Sequence, residues 1–210
     1  MSLERFISEA ISPWMRKDGP SDDIVLSSRI RLARNLKEFV FPILTRNDGE
    51  KVLNKMKHVQ TGPNEKLGSL ELLQMEEMED IQKQVLVEKH LISPHLAGDA
   101  PFGAVMLSDD ESVSIMVNEE DHIRIQCLAA GLRLEHVLEL ANAIDDWLEE
   151  TMEFAFDEKH GYLTSCPTNV GTGMRASVMM HLPALVMTKQ FNHVVSAITA
   201  TSSSPVSPGH

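Results

Sequence analysis

The sequence predicts an α+β fold, a central antiparallel β-sheet flanked by helices. Residues 103–108 and 112–118 read as strands joined by the turn Ser108-Asp109-Asp110-Glu111, and a third strand follows near 121–127. That is a meander, not a strand–helix–strand repeat. Leu134 to Phe154 sets Leu134, Val137, Leu138, Ala141, Ile144, Leu148 and Met152 at helical spacing. Ile24 to Leu32 alternates with β-branched residues in the manner of a strand.

The remaining elements follow in order. Residues 3–11 predict a short helix ended by Ser12-Pro13, and Lys17-Asp18-Gly19-Pro20 a turn. Asp48 to Val59 predicts a helix with Asn47 as its cap, and Thr61-Gly62-Pro63-Asn64 breaks the chain. Leu70 to Lys89, rich in Leu, Met, Glu, Gln and Lys, predicts one long helix. A strand near 162–165, a loop over 166–173, a strand near 174–181 and a helix after Pro183 complete the pattern. Thr199 to His210 has Ser/Thr/Pro composition without periodicity and predicts disorder. No internal repeat is present.

Composition narrows the function classes. The 210 residues fit one domain with a substantial core, and the net charge of -12 argues against general binding to nucleic acid or anionic membranes. The local arginines run against that balance: of nine in the chain, five fall in three short segments. Two cysteines and nine scattered histidines give no zinc-ligand spacing, and a reducing compartment is the simplest reading. The first seventeen residues lack the apolar core of a signal peptide, and no apolar run reaches membrane-spanning length, so the expected location is the cytoplasm.

The three segments carry the chemistry. In Ser27-Ser28-Arg29-Ile30-Arg31-Leu32-Ala33-Arg34-Asn35, strand geometry sends Arg29 and Arg31 out of one face, each offering a planar fork of donors to phosphate oxygens. In Asn118-Glu119-Glu120-Asp121-His122-Ile123-Arg124, the same period places Glu120, His122, Arg124 and Gln126 on one face and Ile123, Ile125 and Cys127 on the other. A carboxylate beside a guanidino substrate can orient it and draw off its proton. In Cys166-Pro167-Thr168-Asn169-Val170-Gly171-Thr172-Gly173-Met174-Arg175, the glycines allow a tight loop whose amides are candidates to hold an anion, although no phosphate-loop lysine follows. Taken singly, each has a bland reading: a solvated strand face, an ion-paired sheet edge, a small buried cysteine.

Together and in this order the three segments resemble the phosphagen (guanidino) kinase family. Its Ser-Ser-Arg-x-Arg, Asn-Glu-Glu-Asp-His-x-Arg and Cys-Pro-x-Asn-x-Gly-Thr-Gly-x-Arg-Ala patterns match at Ser27–Arg31, Asn118–Arg124 and Cys166–Ala176. Only 26 residues precede Ser27, where small-molecule members carry a helical domain, so the similarity points to the bacterial branch that phosphorylates arginine residues in proteins. The resemblance implies ATP and Mg2+ as cofactors. It implies that Ser28, Arg29, Arg31, His90, Arg124, Arg175 and Ser177 hold the nucleotide, with Glu120 as the catalytic base and Cys166 beside the guanidino group.

It also implies a role in stress response and protein quality control. Implied partners are a zinc-binding activator protein, a heat-shock repressor and Clp protease components, and the resemblance is compatible with a homo-oligomer. The expected organisation is an N-terminal extension over 1–20, a partial catalytic domain over 21–191 and a disordered tail over 192–210. After about Gln190 the family pattern of a further phosphate arginine and a second catalytic carboxylate is not recognisable, and Asn192–His210 holds no Arg, Asp or Glu. Two alternatives stand beside this reading: a kinase for a free guanidino compound, and an inactive nucleotide-binding regulatory module.

Overall fold

The computed structural model describes residues 2–41, 46–59, 69–98 and 100–202. The chain opens with α1 (Ser2–Ile7) and a 3-10 turn at Pro13–Arg16, where a proline suits the first turn because its missing N–H leaves no bond unmade. There follow β1 (Val25–Arg34), α2 (Arg46–Val59), β2 (Leu70–Gln74), α3 (Asp80–Glu88) and α4 (Pro94–Ala97). The meander β3 (Ala104–Ser108), β4 (Val113–Val117) and β5 (Ile123–Ala130) leads into α5 (Leu134–Glu149). The short hairpin β6 (Phe156–Asp157) and β7 (Gly161–Tyr162), then β8 (Met174–Met180), α6 (Pro183–Met187) and α7 (Phe191–Ser202), complete the chain.

Six strands form one sheet in the order β2-β3-β4-β5-β1-β8, with every neighbouring pair antiparallel. The N-terminal strand β1 is therefore inserted between the end of the meander and β8. One face of the sheet is covered over most of its width, leaving β8 at the edge largely exposed. Ile30, Leu32, Ile115, Ile123 and Ile125 from the strands pack with Val52 and Met56 of α2 and with Val137, Ala141, Ile144 and Leu148 of α5. Each Val, Ile, Leu or Met side chain among these contributes roughly 1.5–3 kcal/mol on burial.

The other face divides in two. At the meander end, Val105, Leu107 and Met116 meet Phe6 of α1, Leu86 of α3 and Leu96 of α4 in a second core. At the β5-β1-β8 end the same face carries arginines instead of a helical cover, and this division positions the site.

Several expectations need correction. The long helix over Leu70–Lys89 is instead β2, a 3-10 turn at Met75–Glu77 and α3. Helix-forming composition yields here to a two-faced environment: Leu70 and Leu72 pack toward the first core, while Leu73 and Met75 enter the second. The helix restarts at Glu79, whose backbone N–H donates to Gln82 Oε1 at 2.9 Å in a capping box. The helix begun at Leu134 ends at Glu149, short of Phe154. Asn47 lies inside α2, which starts one residue earlier. The expected tail is helical through Ser202, as α7. The Thr61–Asn64 break and residues 203–210 lie outside the described residues.

Candidate functional site

Residues directly opposite in an antiparallel pair project from the same face. Arg31 lies opposite Arg175 on β8 and Gln126 on β5, Arg29 lies opposite Ser177, and Ala33 lies opposite Arg124. The register thus gathers Arg29, Arg31, Arg124 and Arg175 on the uncovered end of one face, from strands far apart in sequence.

The electrostatics of this cluster are unbalanced. Arg124 forms ion pairs with Glu119 at 2.5 Å and Glu120 at 3.0 Å. Among the described residues Arg29, Arg31 and Arg175 have no carboxylate partner, and Arg29 Nε instead donates to Ser177 Oγ at 3.0 Å. Burial, then the charges of Arg29, Arg124 and Arg175, bring the Arg31 guanidinium down to about 10, although Glu119 acts in the opposite sense. Burial and Arg175 lower Arg29 as well. Like charges held together and half-desolvated make a face that an anion would stabilise.

A cavity of about 640 Å³ opens beside this cluster. Arg29, Ser177 and His90 supply polar lining, and Met15, Leu26 and Met179 supply apolar lining. His90 is exposed, with a left-handed φ of 60°, and its carbonyl accepts from Gln126 Nε2 at 2.7 Å. The preceding residue anchors this turn: Lys89 Nζ is buried, 2.7 Å from Glu111 Oε2 and 2.7 Å from the carbonyl of Phe6. Cationic donors beside an apolar wall suit a ligand with a polyanionic part and a flat, less polar part.

The loop bearing Cys166 is built from fixed bonds. Thr164 Oγ1 donates to the Cys166 carbonyl at 2.8 Å, the Asn169 amide donates to the same carbonyl at 3.0 Å, and Cys166 Sγ lies 3.0 Å from Thr168 Oγ1. At the far end, Arg34 pairs with Asp145 at 2.7 Å, stacks 3.6 Å from the Tyr162 ring centroid, and donates to the Thr172 carbonyl at 3.0 Å. Gly173 has φ 62°, and a Cβ there would meet Arg34 Nη1 at 2.5 Å, so this position requires glycine.

Three expected site features do not hold. Ser28 points to the opposite face and is wholly buried; its hydroxyl donates to the Gly131 carbonyl at 2.8 Å and accepts from the Arg133 amide at 2.9 Å, fixing the start of α5. His122 does not share the face of Arg124. It is buried before β5 begins, and Nδ1 accepts the Leu36 amide at 3.0 Å, so Nε2 carries the proton toward the Val40 carbonyl. Burial lowers its pKa and keeps it neutral. The Gly171 and Gly173 amides are already committed to the carbonyls of Tyr162 and Asn169 and are not free to donate to an anion.

Sequence reasoning also missed residues. Glu119 shares Arg124 with Glu120 and accepts from Ser93 Oγ at 2.5 Å. Arg34 escaped because its register is that of the core face, and the available signal was Asp145, a carboxylate set among the inward residues of α5. Cys127 is wholly buried, which pushes its thiol up to about 12 and leaves Cys166 as the accessible cysteine.

A family model described as the ATP:guanido phosphotransferase C-terminal catalytic domain matches residues 51–203. A protein from Halalkalibacterium halodurans named protein-arginine kinase is 63% identical over 199 residues, covering 94% of this chain and 56% of its own. One of the same name from Geobacillus sp. strain WCH70 is 59% identical, covering 94% of this chain and 55% of its own. The chain thus spans about half the length of the curated relatives it matches. The duplicated taurocyamine kinase from Schistosoma mansoni with bound transition-state analogue components superposes with a TM-score of 0.74 at 26% identity, covering 84% of this chain and 26% of that one. Lombricine kinase, at 23% identity and a TM-score of 0.70, covers 93% of this chain and 61% of its own, and shares the fold.

Proposed function

Because the chain belongs to the ATP:guanido phosphotransferase catalytic-domain family, we propose that it transfers the γ-phosphoryl group of ATP to arginine side chains of proteins. One observation carries the reading: four arginines share one sheet face, and three of them have no carboxylate partner among the described residues. A nucleoside triphosphate supplies the charge this face lacks. The relatives named protein-arginine kinase favour a protein arginine as acceptor.

In this reading Arg29, Arg31, Arg124 and Arg175 hold the phosphates and offset the charge spread over the transferred group. Ser177 fixes Arg29 through their hydrogen bond, and His90 borders the nucleotide cavity. Glu120, whose side chain is 44% exposed, takes the proton from the attacking guanidino nitrogen as the phosphorus–nitrogen bond forms and the bond to the β-phosphate oxygen breaks. Cys166 borders the guanidino group without forming a covalent bond.

Magnesium fits through the nucleotide. Among the described residues no group of three or more His, Cys, Asp or Glu gathers to hold a metal, so the ion would arrive on phosphate oxygens and neutralise their charge there. The activity belongs with a cytoplasmic setting, stress response and protein quality control. The proposed partners are a zinc-binding activator protein, a heat-shock repressor and Clp protease components.

The acceptor class is tested by measuring ADP release with Mg-ATP and either an arginine-rich unfolded protein or free arginine at matched guanidino concentration. Release with the protein alone is expected. Release with free arginine alone would move the activity to small-molecule guanidino compounds.

A further inference from the structure

Asp121 lies between the two segments assigned to guanidinium chemistry. It follows Glu120 directly, and its Oδ1 accepts the amide of Ser165, the residue before Cys166, at 2.7 Å. The same oxygen accepts from Asn35 Nδ2 at 2.7 Å, and Asn35 Oδ1 in turn accepts the His122 amide at 2.9 Å. Asn35 Nδ2 also reaches the carbonyl of Leu163 at 3.1 Å. A single carboxylate oxygen therefore ties the end of β1, the turn before β5 and the loop before Cys166.

The carboxylate is 2% exposed, so these bonds act where water offers little competition. Its second oxygen, Oδ2, is buried without a partner, as is Ser165 Oγ. Leaving a buried charged oxygen unpaired is costly, and such a group persists only where its surroundings hold it.

We infer that Asp121 is a positioning residue that sets the Cys166 thiol against the Glu120 carboxylate, so that the acceptor guanidinium meets both groups in one fixed geometry. The identity of the reaction rests on the kinase reading above; the position of the thiol does not. Asp121 touches no reacting atom. It acts by holding the backbone on either side, and a displacement of about 1 Å of such a group can cost on the order of a hundredfold in rate.

The test uses Cys166 as its own reporter, since Cys127 is buried and unreactive. The intact chain and its Asp121→Asn and Ser165→Ala variants are alkylated with iodoacetamide without substrate, and the modified peptide is followed by mass spectrometry. Asp121→Asn keeps the shape but weakens the bond to the Ser165 amide, because a neutral acceptor is roughly half as strong, and is expected to change the Cys166 rate by about threefold or more. Ser165→Ala keeps the amide and is expected to alkylate at the unmodified rate.

Equal rates in all three proteins, or an equal change in both variants, would overturn the inference. Hydrogen exchange in the unsubstituted chain decides the matter should Asp121→Asn not fold: a protected Ser165 amide is expected, and a freely exchanging one contradicts the anchor. In phosphoryl transfer, Asp121→Asn should lower kcat while leaving KM for ATP unchanged. Loss of nucleotide affinity in parallel would mark the residue as merely structural. A chain that transfers no phosphate at all would fail the kinase reading, with the alkylation result still deciding the anchor.

Discussion

Arg31 on β1 and Arg175 on β8 stand directly opposite each other on one face of the sheet. Side chains so paired have Cβ atoms about 4.5–5.5 Å apart, a spacing at which two cations repel. The fold maintains that repulsion beside Arg29 and Arg124, which marks the face as built for an anion.

Arg175→Ala should therefore act in opposite directions on the free and the bound chain. Removing one cation relieves repulsion and should leave the melting temperature unchanged or raised. ATP affinity should fall by about tenfold to a hundredfold, the equivalent of a charge-assisted bond of roughly 1.5–3 kcal/mol. Calorimetric titration and thermal melts of the same preparations check both signs.

The depressed Arg31 guanidinium gives the matching linkage. A cation whose folded pKa lies below its unfolded value costs stability wherever it stays protonated. That cost lifts only as pH rises through about 10 toward the ordinary guanidinium range, so at neutral pH it is present in full. Inorganic triphosphate should offset it and raise the melting temperature, by about 2.7 kcal/mol of stability at a hundred times its Kd. Added sodium chloride should diminish the gain, and triphosphate should not stabilise an Arg29→Ala/Arg31→Ala variant.

Arg34 and Asp145 form a buried pair, with 4% and 9% of their side chains exposed. Arg34→Ala strands the carboxylate and removes the donor to Thr172, and should destabilise by about 3–5 kcal/mol. Replacing both, as Arg34→Met with Asp145→Leu, should recover much of the denaturant midpoint. It should not recover ATP affinity, because the loop leading to Arg175 loses its anchor. Paired urea melts and ATP titrations separate these effects.

Asp110 sits in the β3–β4 turn. Partial burial acts to raise its carboxyl, but hydrogen bonds from Ser112, Lys17 and Ser108 overcome this and hold it down to about 2. A depressed carboxyl contributes stability that is complete above its ordinary value of 3.8 and is lost as pH falls toward 2. Asp110→Asn should melt below the unsubstituted chain at pH 6, and the gap should close progressively between pH 4 and 2 in a series of thermal melts.

The sheet and the arginines were legible because both follow period two. Arg29 and Arg31 alternate with Ile30 and Leu32, and Arg124 alternates with Ile123 and Ile125, so the polar and core faces separate on paper. What pairs with what is not local, and the encounter of Arg31 with Arg175 comes from β1 entering between β5 and β8. The segment Leu70–Gln74 misled because its leucines and glutamate favour helix, while two cores, one on each side, impose a strand. Ser28 misled because it neighbours Arg29 in sequence, and on a strand a neighbour faces the other way. Asp121 and Arg34 were invisible for a shared reason: their roles lie in bonds to residues 44 and 111 positions away.

The most direct measurement is for acid-labile phosphoarginine. The chain and its Arg175→Ala variant are incubated with Mg-ATP and an arginine-rich protein, and the product is read by phosphorus NMR and by mass spectrometry. Phosphoarginine on the protein acceptor, strongly reduced in the variant, is the predicted result. A folded chain that binds ATP yet forms no phosphoarginine, or one that forms it equally well without Arg175, would contradict the account.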